Sequence, residues 1–170
     1  MSILLENIHR RTIAAGHMIE HAEEVSISTA RKSAFFRSAS ILLTTVIEGM
    51  IYEFVKKNST SPHVISQRND YRELHKLPSS LFSLSLPVYL CEKNKVDLNL
   101  DDNDVGLGKM IIYLKNNHLI TPNEYKLLNW ARIERNKIHP QSLSSKDTGY
   151  TKVKIDKLGK VIEFLVDKIK

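Results

Sequence analysis

The chain has 170 residues, of which 42% are hydrophobic and 26% are charged. This length and composition predict that residues 1–170 form one soluble domain, able to bury a core without metal or disulfide cross-links. The single cysteine, Cys91, excludes an internal disulfide framework. The formal net charge of +6 permits contact with nucleic acid but does not demand it.

No apolar run in the sequence reaches the roughly 20 residues that a transmembrane helix needs. The most apolar stretch, Ser38–Val55, is interrupted by Glu48 and Glu53. The N-terminal segment lacks the long apolar core and the small-residue cleavage site of a signal peptide. We therefore expect a cytoplasmic protein that makes no contact with a membrane.

Apolar residues recur at steps of three and four along most of the chain, which is the spacing of one helix face. This spacing predicts helices over residues 3–25, 30–57, 105–117 and 122–138, followed by an amphipathic helix from Ile155 to Ile169. The second of these is apolar around more than half of its circumference, which is typical of a central helix. Thr121 and Glu124 form a predicted capping box at the start of the fourth helix.

Residues 58–104 are less regular and are interpreted as an insertion between the second and third main helices. Gln67–Leu77 and Leu81–Lys93 are predicted as short helices within it. No alternation of apolar and polar residues long enough for a strand is evident, and no internal repeat is present. The predicted fold class is therefore all-α, a helical bundle.

The fourth helix carries polar side chains beside its apolar face. At about 100° per residue, Arg132, Arg135, Asn136 and His139 lie within about 60° of one line. His139 is at the C-terminal end, where the helix dipole favours the protonated imidazole. Two guanidinium groups, an amide and an imidazolium suit an anion, above all a phosphate. The alternative is that the arginines pair with nearby acids and His139 only caps the last turn.

Glu48, an acid within the apolar second helix, is the candidate to hold one of these arginines across the bundle. Its alternative is a carboxylate that points to solvent. Arg68 and His75 repeat the spacing of Arg132 and His139. They lack a capped long helix and a following proline, so this second match is interpreted as chance.

Two patterns suggest metal binding on first inspection. His17-Met18-Ile19-Glu20-His21 matches the His-x-x-Glu-His pattern of one class of zinc proteases. It lies on the helix face away from the apolar stripe, and no larger protease-like region accompanies it. The acidic run over residues 97–104 lacks the glycine and the bidentate glutamate of a calcium-binding loop. We expect neither a metal nor a cofactor.

The run from Arg132 to Pro140 resembles the Arg-x(4–6)-His signature of HEPN domains, in its Arg-Asn-x-x-His-Pro form. The segment 36–51, with an acid amid apolar residues, resembles the long second helix of that family. The likeness covers residues 1–57 and 105–170, with residues 58–104 as an insertion.

This resemblance implies an up-down four-helix bundle, usually dimeric, in which the motif residues of two subunits meet in a cleft. Many members are metal-independent endoribonucleases of toxin–antitoxin, abortive-infection or other antiviral systems. By this likeness His139 acts as general acid or base, and Arg132 stabilises charge on the phosphorus oxygens. Arg135 and Asn136 then orient the phosphate. Six residues separate Arg132 from His139 and three separate Arg135 from it, so either arginine can be the primary one.

The expected function is therefore RNA cleavage by a homodimer, with an antitoxin or a defence-system protein as a further partner. One alternative is a catalytically inactive HEPN-like module that binds RNA, a nucleotide or a partner protein. Another is a helical interaction domain in which the arginines and the histidine form ion pairs.

Overall fold

The structure is a computed structural model that describes residues 3–60, 63–77, 87–137 and 150–169. These residues form five helices and an antiparallel pair of strands. In chain order the elements are α1 (Ile3–Glu23), α2 (Thr29–Asn58), β1 (Val64–Lys76), β2 (Tyr89–Asn99), α3 (Leu107–Asn116), α4 (Pro122–Lys137) and α5 (Lys152–Ile169). The all-α prediction, and with it the plain four-helix bundle, is wrong, because the fold is a mixed arrangement of helices and sheet.

The central element is α2, which contacts each of the other four helices. Its buried residues lie on several sides of the helix, and four of them, Val46, Ile47, Ile51 and Val55, are almost completely enclosed. Two buried hydroxyl groups, those of Ser40 and Thr44, donate to carbonyl oxygens one turn earlier, at 2.9 and 2.8 Å. These bonds satisfy both groups inside the core without a partner from another helix.

By length and composition alone, α2 is the helix among the described residues that could cross a membrane. Core helices of soluble proteins meet the same criteria. Half of the residues in its most apolar window are buried inside the protein, as in a core helix.

The predicted short helices at Gln67–Leu77 and Leu81–Lys93 are wrong wherever the structure describes those residues. β1 and β2 pair there in an antiparallel hairpin, from Val64 opposite Asn99 to Lys76 opposite Tyr89. Most of the hairpin is exposed on both faces, so neither face needs an apolar row. The alternation by which a strand is usually detected is therefore missing from the sequence.

The base of the hairpin is tied to the helices by buried apolar residues and by polar contacts. Ile65, Leu98 and Leu100 are buried in the common core. The Tyr52 hydroxyl of α2 donates to Asp101 at 2.5 Å, and this hydrogen bond, with burial, raises the pKa of Tyr52 to about 12. The insertion is thus anchored at one end to the central helix.

Helix ends follow the sequence at α2 and α4 but not at α3. At α4 the predicted capping box forms, with the Thr121 N–H donating to Glu124 at 2.6 Å and the Glu124 N–H donating to the Thr121 hydroxyl at 3.3 Å. The third helix begins at Leu107, not at the predicted Val105. Asp104, which comes three residues before the first residue of α3, forms an ion pair with Arg68 of β1.

The C-terminus of α3 closes in a Schellman motif. The Leu119 N–H donates to Leu114 at 3.0 Å and the His118 N–H donates to Lys115 at 3.1 Å. His118 takes the left-handed conformation that this motif needs, with φ of 56°. A side chain with a Cβ is strained there, whereas glycine is not.

We expect the substitution His118→Gly to stabilise the fold by about 0.5–1 kcal/mol, because glycine adopts the left-handed conformation at little cost. Urea unfolding at neutral pH measures the gain. The control His118→Ala keeps the Cβ and gives no stabilisation. An equal gain in both variants would contradict the conformational explanation.

Candidate functional site

Helix α4 has a row of buried side chains that faces the core, with polar side chains on either side of this row. Leu128, Ala131 and Glu134 are buried, while Arg132 and Arg135 are half-buried on one side of this buried row. Helical spacing places Arg132 and Arg135 one turn apart on the same side. We call Arg132, Arg135 and the exposed Asn136 the α4 ridge.

Arg135 is held by the central helix. A guanidinium nitrogen of Arg135 lies 3.4 Å from a carboxylate oxygen of Glu48 on α2, and the exposed fractions of the two side chains are 36% and 33%. The pair is open enough to water that its net contribution to stability is about 0–1 kcal/mol. Its consequence is geometric, because Glu48 restrains where the guanidinium points and leaves other N–H donors free.

Arg132 lies against a different helix. Its Nε donates to Asn129 on the preceding turn at 2.9 Å. A Cβ built on Gly108 of α3 would lie 3.6 Å from Cδ of Arg132, so the arginine side chain passes over this glycine. The two guanidinium groups are thus positioned by α2 on one side and by α3 on the other.

Of the remaining predicted site residues, Asn136 is exposed at the end of the ridge. His139 and Pro140 lie outside the described residues, two and three positions after the last residue of α4. The structure therefore brings Glu48 and Arg135 together and places Arg132 one turn away, while the expected meeting of His139 with these groups stays a prediction.

One acid in the buried row of α4, Glu134, was not among the predicted site residues. Glu134 is only 5% exposed, and its carboxylate oxygens lie 2.7 Å from Nζ of Lys137 and 3.3 Å from Nζ of Lys154 on α5. Burial raises the pKa of Glu134, but the hydrogen bonds and charges of the two lysines outweigh it and lower the pKa. The sequence signal was available, since Glu134 lies at a core-facing position of the helix, three residues after Ala131.

Lys154 also contacts a buried tyrosine ring, which a second cation approaches. The ring of Tyr150, 9% exposed, has Nζ of Lys154 at 5.4 Å and the guanidinium carbon of Arg37 at 5.9 Å from its centroid. These distances fit cation–π contacts. The junction of α2, α4 and α5 is therefore a basic region around one buried carboxylate.

The other patterns of the sequence have local explanations in the structure. On α1, His17 pairs with Glu20 at 3.3 Å, and His21 pairs with Glu24, just after the helix, at 2.6 Å; all four residues are exposed. No group of three or more metal-binding side chains occurs among the residues that the structure describes. Arg68 and His75, which repeat the spacing of the site, lie on the exposed part of β1.

Three comparisons were made with known proteins. The chain matches no protein-family model, no curated protein and no solved structure. The resemblance to HEPN domains accordingly rests on the motif residues and remains a prediction.

We expect Glu134→Gln to reduce the pH dependence of stability. The pKa of Glu134 lies below its ordinary value of 4.5 in the folded chain, so its ionised form stabilises the fold above about pH 4.5 and this contribution is lost as the pH falls further. At pH 7 the variant loses about 1.5–3 kcal/mol, the usual range for hydrogen bonds to charged groups.

Urea unfolding of wild type and variant between pH 3 and pH 7 makes this comparison. Glu163→Gln removes an exposed carboxylate on α5, serves as the control and follows the wild-type profile. Parallel profiles for wild type and Glu134→Gln would show that the buried pair contributes nothing to acid sensitivity.

Proposed function

We propose that this protein is a metal-independent endoribonuclease of a toxin or antiviral defence system, with the α4 ridge as its phosphate-binding surface. The observation that carries the proposal is the contact between Glu48 and Arg135. It gives a guanidinium that is both restrained and accessible, with one third of its side chain exposed. A preorganised cation of this kind stabilises charge that develops on a phosphate without a further rearrangement.

The ridge supplies the electrostatic part of the reaction. The 2′-hydroxyl oxygen of the ribose attacks phosphorus, and the bond from phosphorus to the 5′-oxygen breaks, which leaves a 2′,3′-cyclic phosphate. Negative charge builds on the non-bridging oxygens during this step. Arg132 and Arg135 donate to those oxygens, and Asn136 orients the phosphate by an amide hydrogen bond.

Proton transfer belongs to His139, because histidine is the side chain whose ordinary pKa lies close to neutral pH. The reaction needs a base for the 2′-hydroxyl and an acid for the leaving oxygen, and one chain carries a single histidine in this motif. Two chains provide both groups when their ridges face one another. The working enzyme is accordingly a homodimer that requires neither metal nor cofactor, acts in the cytoplasm and has an antitoxin or a defence-system protein as a further partner.

The central test uses purified protein and total RNA in the presence of EDTA. We expect cleavage that leaves 2′,3′-cyclic phosphate ends, and a loss of at least about 100-fold in His139→Ala because a general acid–base group is removed. His9→Ala, an exposed histidine on α1, is the matched control and keeps full activity. Cleavage that requires a divalent metal, or that survives in His139→Ala, would contradict the proposal.

The two arginines are compared in the same assay. Arg132→Ala and Arg135→Ala each lower kcat by about 100-fold if each donates to the transition state, and the primary arginine shows the larger loss. Glu48→Gln acts through Arg135 and lowers kcat while KM for the RNA changes little, and Glu48→Asp restores part of the rate. Far-UV circular dichroism and melting temperature verify that each variant is folded.

One observation favours a second candidate function. Arg135 is paired with Glu48 and Arg132 donates to Asn129, so both guanidinium groups have partners within the chain. A catalytically inactive module that binds RNA, a nucleotide or a partner protein fits the same contacts. RNA that remains intact but is retained by the protein, and is released by Arg132→Ala, identifies this second function.

A further inference from the structure

The hairpin of β1 and β2 forms an arm that extends from the helical body. Its strands make eleven residue pairs, and at about 3.4 Å per residue an eleven-residue strand is about 35 Å long. Burial is confined to its base, where Ile65 and Leu98 are the fully buried strand residues. From Gln67 to Lys76 every residue of β1 is exposed.

The arm has unpaired strand edges and exposed apolar side chains that could contact a further chain. Two strands by themselves are marginally stable in water, and in the described part of the chain no third strand pairs with either edge. Unpaired strand edges present N–H and C=O groups to any further strand. The arm also exposes large apolar side chains, namely Tyr71, Leu74, Tyr89, Leu90 and Val96.

We propose that the β1 edge pairs antiparallel with the β1 edge of a second copy of this chain, to give a four-stranded sheet in the order β2–β1–β1–β2. This proposal does not rest on the nuclease function, because it uses no residue of the α4 ridge.

The charges of the arm favour a second copy over nucleic acid. The two strands carry a mixture of five basic and four acidic residues, which are Arg68, Asp70, Arg72, Glu73, Lys76, Glu92, Lys93, Lys95 and Asp97. A surface that binds the phosphate backbone has a clear excess of positive charge. The net charge of the arm is close to zero, and such a mixture of charges can pair with the same mixture on a second copy.

Symmetry restricts the register of such a pairing. A two-fold axis between antiparallel strands must pass through a residue that faces its own copy. With Tyr71 on the axis, Asp70 faces Arg72 of the partner subunit, and this pair occurs twice. Opposite charges directly across two strands stabilise the pairing by about 0.2–1 kcal/mol for each pair.

Other registers of β1 set like charges against one another or extend the pairing into the buried base of the arm. An axis at Asp70 places this residue against its own copy and Arg68 against the partner's Arg72. An axis at Arg72 again sets two like charges face to face, and places Arg68 against the partner's Lys76. An axis at Asn69 also sets Arg68 opposite the partner's Asp70, but it draws Ile65, which is buried at the base of the arm, into the pairing.

The β2 edge offers no comparable register. Its central residues Glu92, Lys93, Asn94 and Lys95 are consecutive. An axis at either lysine, or at Glu92, sets a charge against its own copy. An axis at Asn94 places Lys93 against the partner's Lys95 twice, and like charges directly opposite one another are destabilising. An axis at Val96 sets Lys95 opposite the partner's Asp97, but it draws the buried Leu98 into the pairing. The edge with a complementary register in its exposed part is therefore β1, centred on Tyr71.

A cysteine scan tests the register, since Cys91 is the single cysteine of the chain and Cys91→Ser removes it. In that background, Tyr71→Cys forms an intermolecular disulfide under mild oxidation, because residues facing across antiparallel strands have Cα atoms about 4.5–5.5 Å apart. Asn69→Cys and Glu73→Cys serve as matched controls. Each lies about 13 Å from its own copy in this register, so each cross-links weakly alone and strongly when the two variants are mixed.

Equal cross-linking at the three positions, or a preference for another position, overturns the proposal. A dimer formed elsewhere on the molecule also gives no preference for Tyr71→Cys. The outcome is independent of RNA cleavage, so a failure here leaves the nuclease proposal untouched.

Sedimentation equilibrium provides the second arm of the test. Asp70→Lys faces Arg72 of the partner subunit with a like charge, while its neighbour within the hairpin is the neutral Asn94. We expect the dimer Kd to rise at least about fivefold. Asp97→Lys makes the same charge change on β2 and leaves the Kd unchanged. An unchanged Kd in Asp70→Lys, with altered RNA binding instead, would assign the arm to nucleic acid and reject self-pairing.

Discussion

The burial of α2 on several sides is the constraint on which the other elements depend. This helix contacts all four other helices, so each of them must present an apolar face to it. The fully enclosed residues of α2, including Val46, Ile47 and Ile51, have partners on more than one side. Glu48 follows directly in the sequence, at the edge of this packed surface, and so enters the region where α4 docks.

The position of α4 is determined by apolar contacts and by two acids in unlike environments. Leu128 and Ala131 are buried against the core, and Glu134 is buried between two lysines. Burial of these three residues fixes the rotation of α4 about its own axis. That rotation places Arg135 beside Glu48, which remains partly exposed to water. Glu134 therefore helps to fix how α4 packs, whereas Glu48 restrains the guanidinium of Arg135 in the α4 ridge.

The insertion has two parts, a base that is buried among the helices and an outer part that is exposed. Its base belongs to the common core through Ile65, Leu98 and Leu100, and its outer part makes few contacts with the helices. A strand pair with two solvated faces gains little from hydrophobic burial, so its stability depends on hydrogen bonds and on whatever covers its edges. The helical body and the arm can therefore meet different partners or different surfaces of the same partner.

Local patterns predicted each of the five helices of the described chain, because apolar periodicity and end signals are local properties, although the same reasoning also placed two short helices where strands form. Thr121 and Glu124 cap α4 as expected, and the apolar character of α2 identified the central helix. Arginine spacing on α4 likewise followed from helix geometry, whereas the roles given to His139 and the ridge are proposals.

Only the tertiary structure decided the pairing of β1 with β2, because a hairpin exposed on both faces leaves no alternation in the sequence. The pairing of Glu134 with Lys154 was also decided there, because Lys154 comes from another helix. The sequence named Glu48 as a partner for an arginine of α4, but the choice of Arg135 depended on how α2 and α4 dock, which local patterns do not encode.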